Sequence, residues 1–182
     1  HLDVVKFLVS LPGVDASALS NSAIRRASCN GHLDVVKFLI SLPGVDASAY
    51  NNFAIRLASE NGRLDVVVFL ASLPNVDASA DNNFAIRLAS ENGHLDVVKF
   101  LVSLPNVDAT ADDNWAIHWA SENGHTKTVR FLLQIIDRSK ITKTEKYCKI
   151  WEEIINEKLT KAEIVKNLST IVPEDVAKLI TI

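Results

Sequence analysis

The chain has 182 residues, 48% of them apolar and 23% charged, which is enough apolar surface for a continuous core and too little charge for wholesale disorder. The net charge of −3 is uneven: residues 1–137 hold 10 Lys/Arg and 15 Asp/Glu (−5), and residues 138–182 hold 9 Lys/Arg and 7 Asp/Glu (+2). Neither part has the basic footprint of a nucleic-acid binder, and no apolar run reaches the roughly 18 residues that cross a membrane.

The first segment, HLDVVKF at residue 1, returns at residues 32 and 94, and as RLDVVVF at residue 63. A decayed fifth copy, GHTKTVRFLL, places its His at 125, so units start at 1, 32, 63, 94 and 125, every 31 residues. The segment NNFAIRLASENG is spelled identically at 51–62 and 82–93. A fixed period of this size marks stacked supersecondary units rather than one globular core. The array is expected over residues 1–138, and residues 139–182 share nothing with it.

In residues 33–42, LDVVKFLISL, the polar Asp34, Lys37 and Ser41 recur every three or four positions among apolar residues. This predicts a helix with a narrow wet stripe, Asp34 complementing its N-terminal dipole and Pro43 stopping it. In residues 53–61, FAIRLASEN, Ala54, Ile55 and Ala58 give a thinner apolar face, and Gly62 supplies the left-handed residue that ends a helix. Only two residues, Gly with His or Arg, separate the two helices, so they are antiparallel neighbours. The intervening PGVDASAYNN at 43–52 is a turn-former. Each unit reads as helix, tight turn, helix, long loop, and only a stack buries its faces.

These residues resemble the ankyrin repeat, T-P-L-H-x-A-A-x-x-G-H-L-x-V-V-x-x-L-L, at Ile24, Ala27, Gly31, Leu33, Val35, Val36 and Leu39 and their equivalents. The resemblance covers about three quarters of the chain and implies an all-α ankyrin-repeat solenoid of antiparallel helix pairs joined by long hairpin-like loops, followed by a C-terminal helical segment. The units are two residues shorter than the usual 33, and T-P-L-H is replaced by SAIR, FAIR, FAIR and WAIH at 22, 53, 84 and 115. The Asn before each (Asn21, Asn52, Asn83, Asn114) is expected to cap the helix in its place. The short variant with LPxVDASA loops is similar to the ankyrin expansions of protists and giant DNA viruses. That implies an intracellular, cytoplasmic protein, with the nucleus or a host cytosol as alternatives.

The resemblance further implies a non-catalytic scaffold whose concave groove of loop tips and inner helices recognises a protein partner. Mapped copy by copy, the groove contains Tyr50, Asn52, Glu60, Asp81, Asn83, Glu91, Asp112, Asp113, Asn114 and Glu122. The loop-tip position varies most, from Leu19 to Tyr50, Asp81 and Asp112, while core positions barely change. The groove is therefore expected to be acidic, to have Tyr50 as an aromatic anchor, and to suit a basic or amide-rich segment. Arg56, Arg87 and His118 on the same helices partly neutralise it. The alternative is a solvated face kept soluble by its charge.

His32, His94 and His125 recur one per unit beside a Gly and read as turn residues, since a repeat step separates them too far to share a metal. Cys29 and Cys148 form no C-x-x-C, so no metal site and no disulfide framework is expected. No catalytic triad, phosphate-binding glycine loop or H-E-x-x-H occurs, so neither an enzyme nor a cofactor is expected. Trp115 and Trp119 are expected to pack against the C-terminal segment, and Val68, which replaces the Lys of other copies, either extends an apolar outer patch or is drift.

Beyond residue 138, Thr142 with Glu145 and Thr160 with Glu163 read as capping boxes, and Pro173 opens a third short helix. This segment reads as the end cap that a solenoid needs. Alternatively it recruits a second protein: IVPEDVAKLITI is similar to the opening of an F-box helix, L-P-x-E-[IVL]-x-x-x-I. At the other end, Val4, Val5 and Leu8 are expected to present a bare apolar face. The absence of methionine makes His1 an expected internal position of a longer protein. A monomer is expected unless that face associates, which leaves a structural subunit of a larger assembly as a third reading.

Overall fold

The computed structural model describes residues 2–136. The chain divides into two units, residues 1–142 and 143–182, and the described residues all lie in the first. The three short helices expected beyond residue 138, with their capping boxes, and the F-box-like segment lie outside the described residues.

The described residues form helices and loops without a strand. Outer helices α1 (Leu2–Val9), α3 (Leu33–Ile40), α5 (Leu64–Ala71), α7 (Leu95–Val102) and α9 (Thr126–Ile135) alternate with inner helices α2 (Ala18–Asn30), α4 (Ala49–Glu60), α6 (Ala80–Glu91) and α8 (Ala111–Glu122). Each inner helix packs on the outer helix that follows it, inner helices stack on inner, and outer on outer.

The periodic apolar residues make this stack. Val35, Val36 and Leu39 of α3 are buried, as are Val66, Val67 and Leu70 in α5 and Val97, Val98 and Leu101 in α7. The inner helices contribute Ile24, Ile55, Ile86 and Ile117, all at 0% exposure. Alanines 54, 58, 85, 89, 116 and 120 fill the remaining space, and their small side chains let neighbouring backbones approach closely. Val4, Phe7 and Leu8 of α1 are exposed, and Val5 is half-buried.

The outer helices end earlier than Pro43 and its equivalents predict. α3 stops at Ile40, and Ser41 turns its hydroxyl back on the Phe38 carbonyl at 2.6 Å. Ser72 and Ser103 do the same to Phe69 and Phe100. The residue before a proline, here Leu42, is also disfavoured in helical geometry, and the end closes with tighter i to i+3 bonds, Ser41 N–H to Phe38 and Leu42 N–H to Leu39. The tight turn needs glycine. Gly62 has φ +66°, and a Cβ there would lie 2.5 Å from Nδ1 of His94.

Arginine, aromatic and asparagine side chains on the inner face

The inner helices begin with a short excursion into the wrong hand. Three consecutive residues before each right-handed helix are left-handed: Leu19–Asn21, Tyr50–Asn52, Asp81–Asn83 and Asp112–Asn114, with φ between 53° and 64°. Such geometry costs an L-residue roughly 1–2 kcal/mol, least for Asn and Asp. Nine of these twelve positions are Asn or Asp, the exceptions being Leu19, Ser20 and Tyr50. The excursion aims the third residue, always Asn, into the joint between repeats. Oδ1 of Asn21 accepts the Asp46 N–H of the next loop at 2.9 Å, and Asn52 and Asn83 do the same for Asp77 and Asp108 at 2.9 and 2.8 Å.

This corrects the capping expectation. The asparagine oxygen serves the following repeat and not the first turn of its own helix. The backbone reason is the left-handed φ, which turns the side chain away from its own helix.

The loop aspartates complete the joint. Asp46 Oδ1 accepts from the backbone N–H and hydroxyl of Ser48, and from Nδ2 of Asn75 one repeat on. Asp15 in the first loop has the same Ser17 donors, and they hold its carboxyl below the ordinary aspartate value.

The F-A-I-R spacing places Phe and Arg three positions apart on one helical side. Arg56 lies between two rings, with its guanidinium carbon 5.0 Å from the Phe53 centroid and 4.7 Å from that of Phe84. Arg87 lies between Phe84 at 4.9 Å and Trp115 at 3.9 Å. Each donates to a carbonyl of its own loop tip, Asn51 or Asn82, at 3.3 Å. Each also pairs with the next loop tip: Arg56 with Asp81 at 2.8 Å and Arg87 with Asp112 at 2.7 Å. The arginine side chains are 10% and 7% exposed, and their aspartate partners 47% and 42%. Burial of a guanidinium requires such partners, and its planar group can stack flat on a ring while still donating hydrogen bonds at its edge. The result is a ladder of alternating rings and arginines across the repeats.

The first repeat departs from it. Ser22 stands where the others have Phe53, Phe84 and Trp115, and Tyr50 stands where the others have Asp81 and Asp112. Arg25 therefore donates to the Leu19 carbonyl at 2.9 Å and lies over the rings of Tyr50 and Phe53 at 5.3 and 5.6 Å. It has no acidic partner among the described residues.

The expected groove residues therefore separate by environment. Tyr50 is 66% exposed, and its ring meets Phe53 edge-on. Asp113 and Glu122 are exposed, and Glu60 and Glu91 are half-buried at the far end of the inner helices. Asp81 and Asp112 share the surface with their arginines. Asn52, Asn83 and Asn114 are buried at 9%, 9% and 4%, so their side chains face the stack. The arginine–aromatic ladder has no counterpart among the sequence expectations. Its signal is a constant offset of 25 residues from each arginine to the facing loop tip (Arg25 to Tyr50, Arg56 to Asp81, Arg87 to Asp112).

Other singled-out residues take structural places. Nε2 of His94 lies 2.9 Å from the Glu60 carbonyl; a carbonyl only accepts, so Nε2 carries the proton. Arg63, in the equivalent position, donates to the Cys29 carbonyl at 3.2 Å. Trp115 packs on Phe84 and Trp119, with centroids at 6.4 and 5.9 Å. Lys6, Lys37 and Lys99 lie over Phe38, Phe69 and Phe131 of the next outer helix at 5.5–5.9 Å. Val68 occupies the same position and is 42% exposed, which breaks that outer row.

The chain matches the family described as ankyrin repeats (3 copies) over residues 1–82 and 57–144. It belongs to the ankyrin-repeat family. No curated protein matches it. Ankyrin repeats generally mediate protein–protein interaction, and the family is typically non-enzymatic. In this ankyrin array the joint between repeats is built from a left-handed Asn whose Oδ1 accepts the backbone N–H of the aspartate in the following loop. No helix among the described residues is long and apolar enough to cross a membrane.

Proposed function

We propose that the chain is a non-catalytic scaffold whose inner face receives a segment of a protein partner. One observation carries this reading. The exposed positions that change most between copies, Leu19, Tyr50, Asp81 and Asp112, share one left-handed loop tip, while the residues beneath them are held constant by the joint hydrogen bonds and the ladder. Recognition can then vary while the asparagine hydrogen bonds of the joint stay in place. Half-buried Phe53, Phe84 and Trp115 give that face apolar contact area, and aromatic residues dominate binding energy at protein interfaces. Glu60, Glu91 and Asp113 supply negative charge that the two buried arginines do not take up, and they favour a Lys- or Arg-bearing segment.

The test is capture from cell lysate by the full chain and by a triple variant, Glu60→Lys/Glu91→Lys/Asp113→Lys. These positions leave both arginine ion pairs intact. Specific proteins that bind the first and not the second support the reading. Equal capture by both would make the inner face a solvated surface.

A further inference from the structure

The four complete copies share a core and differ in charge along the inner face. Counting loop tip and inner helix together, residues 16–30 carry Arg25 and Arg26 and no acid, and residues 47–61 carry Arg56 and Glu60. Residues 78–92 carry Arg87 against Asp81 and Glu91, and residues 109–123 carry Asp112, Asp113 and Glu122 with no Lys or Arg. With His118 neutral the net charge falls in order from +2 through 0 and −1 to −3.

The two ends also differ in what remains unsatisfied. At the second and third joints an arginine already holds a carboxylate, Arg56 with Asp81 and Arg87 with Asp112. At the first joint the same arginine position is present and the carboxylate is not, because Tyr50 occupies the loop tip. Arg25 is half-buried, and one hydrogen bond to protein, to the Leu19 carbonyl, leaves further guanidinium donors for a ligand. At the other end Asp113 stands where the earlier copies have Ser20, Asn51 and Asn82, and it is exposed.

We infer that the inner face is directional: it holds an extended protein segment in one orientation, with an Asp or Glu of the segment on Arg25 beside Tyr50 and a Lys or Arg on Asp113. This rests on the reading that the inner face binds a protein segment. The chemistry at Arg25 is the guanidinium–carboxylate pair that the molecule itself forms at the next two joints. It is supplied here from outside, with the exposed Tyr50 ring as its wall. Two repeat steps separate Tyr50 from Asp113. Packed helices lie about 8–10 Å apart, so the span is roughly 16–20 Å, or about five to six residues of extended chain. The reversed segment would set its acid against Asp113 and its base against Arg25. Orientation thus follows from repulsion as well as attraction.

A phage-displayed library of random 12-residue peptides, selected on the full chain, tests this. Enriched peptides should carry an acid and a base about five to six residues apart in one constant order. A synthetic peptide of that consensus should bind the Arg25→Glu chain about tenfold more weakly, and exchange of its acid for Lys should restore binding to that variant. Arg25→Gln, which keeps a donor and loses the charge, serves if Arg25→Glu does not fold. Peptides that lose affinity on Asp113→Lys but ignore both Arg25 variants would overturn the direction and leave the protein-binding reading standing. Peptides indifferent to all three variants, or no enrichment at all, would overturn both.

Discussion

The first and third repeats contain the same buried isoleucine, the same joint asparagine and the same arginine, yet the arginine does different work in each. Arg87 is clamped between Phe84 and Trp115 and paired with Asp112, so it is part of the stack. Arg25 lies half-buried beside an exposed tyrosine, with no ion pair among the described residues. Two substitutions in the surroundings, Ser22 for Phe and Tyr50 for Asp, convert a structural cation into an available one. In a solenoid, one residue's role is set by its neighbour's repeat as much as by its own.

The largest effect should come from what the two repeats share. Asn21→Ala and Asn83→Ala each remove the acceptor for a loop N–H and leave a left-handed alanine, at an expected cost of about 2–3 kcal/mol. Urea unfolding would measure the cost, and amide exchange at Asp46 or Asp108 should quicken. Matching costs would show that the joints are alike. If the two asparagines differ as widely as the two arginines, the contrast between the repeats is a property of position in the stack and not of arginine chemistry.

The arginines should then diverge. Arg87→Leu loses contact with two rings and one partly exposed ion pair, about 2 kcal/mol together. Arg25→Leu should cost less than about 1 kcal/mol, since Arg25 is less buried and forms no ion pair among the described residues. Equal losses in thermal unfolding would erase the distinction on which the directional inner face depends.

The smallest effect is also the sharpest comparison. Tyr50→Asp gives the first joint the chemistry of the others, and aspartate tolerates the left-handed φ of 57° better than tyrosine. The expected change in stability is between zero and a gain of about 1 kcal/mol, while binding of an acidic peptide end should be lost. A gain in melting temperature with binding retained would show that Arg25 does not hold the ligand.

Much of this architecture was legible in residue order. The 31-residue period, the Val-Val-x-x-Leu burial pattern and the glycine turns need only hydrophobic periodicity and turn chemistry, and they gave the helix pairs directly. The asparagine role is not legible there, because Asn before a helical run has the pattern of an ordinary N-cap. Nothing local in Asn-Phe-Ala-Ile-Arg announces three left-handed residues, and the partner, a backbone N–H 25 residues ahead, belongs to another unit. The acidic groove was half-legible for the same reason. Asp81 and Asp112 count as free charges until the arginine of the preceding repeat is seen to meet them. Contacts that cross a repeat boundary are written in the sequence only as a constant offset, and a reading that treats one unit at a time passes over them.

That constant offset has a consequence for how such a chain lengthens. A repeat whose asparagine and arginine reach forward to the next copy, and whose ring receives the arginine of the copy before, is a subunit with a head and a tail, and its interface is heterologous, able to add copies without closing. Insertion of one more 31-residue unit by duplication of its coding sequence would bring every donor together with its acceptor, and the new joint would need no further mutation to be satisfied. The identical twelve residues at 51–62 and 82–93 fit that mode of growth. The first joint, with its tyrosine, is the one that departs from this self-complementary form.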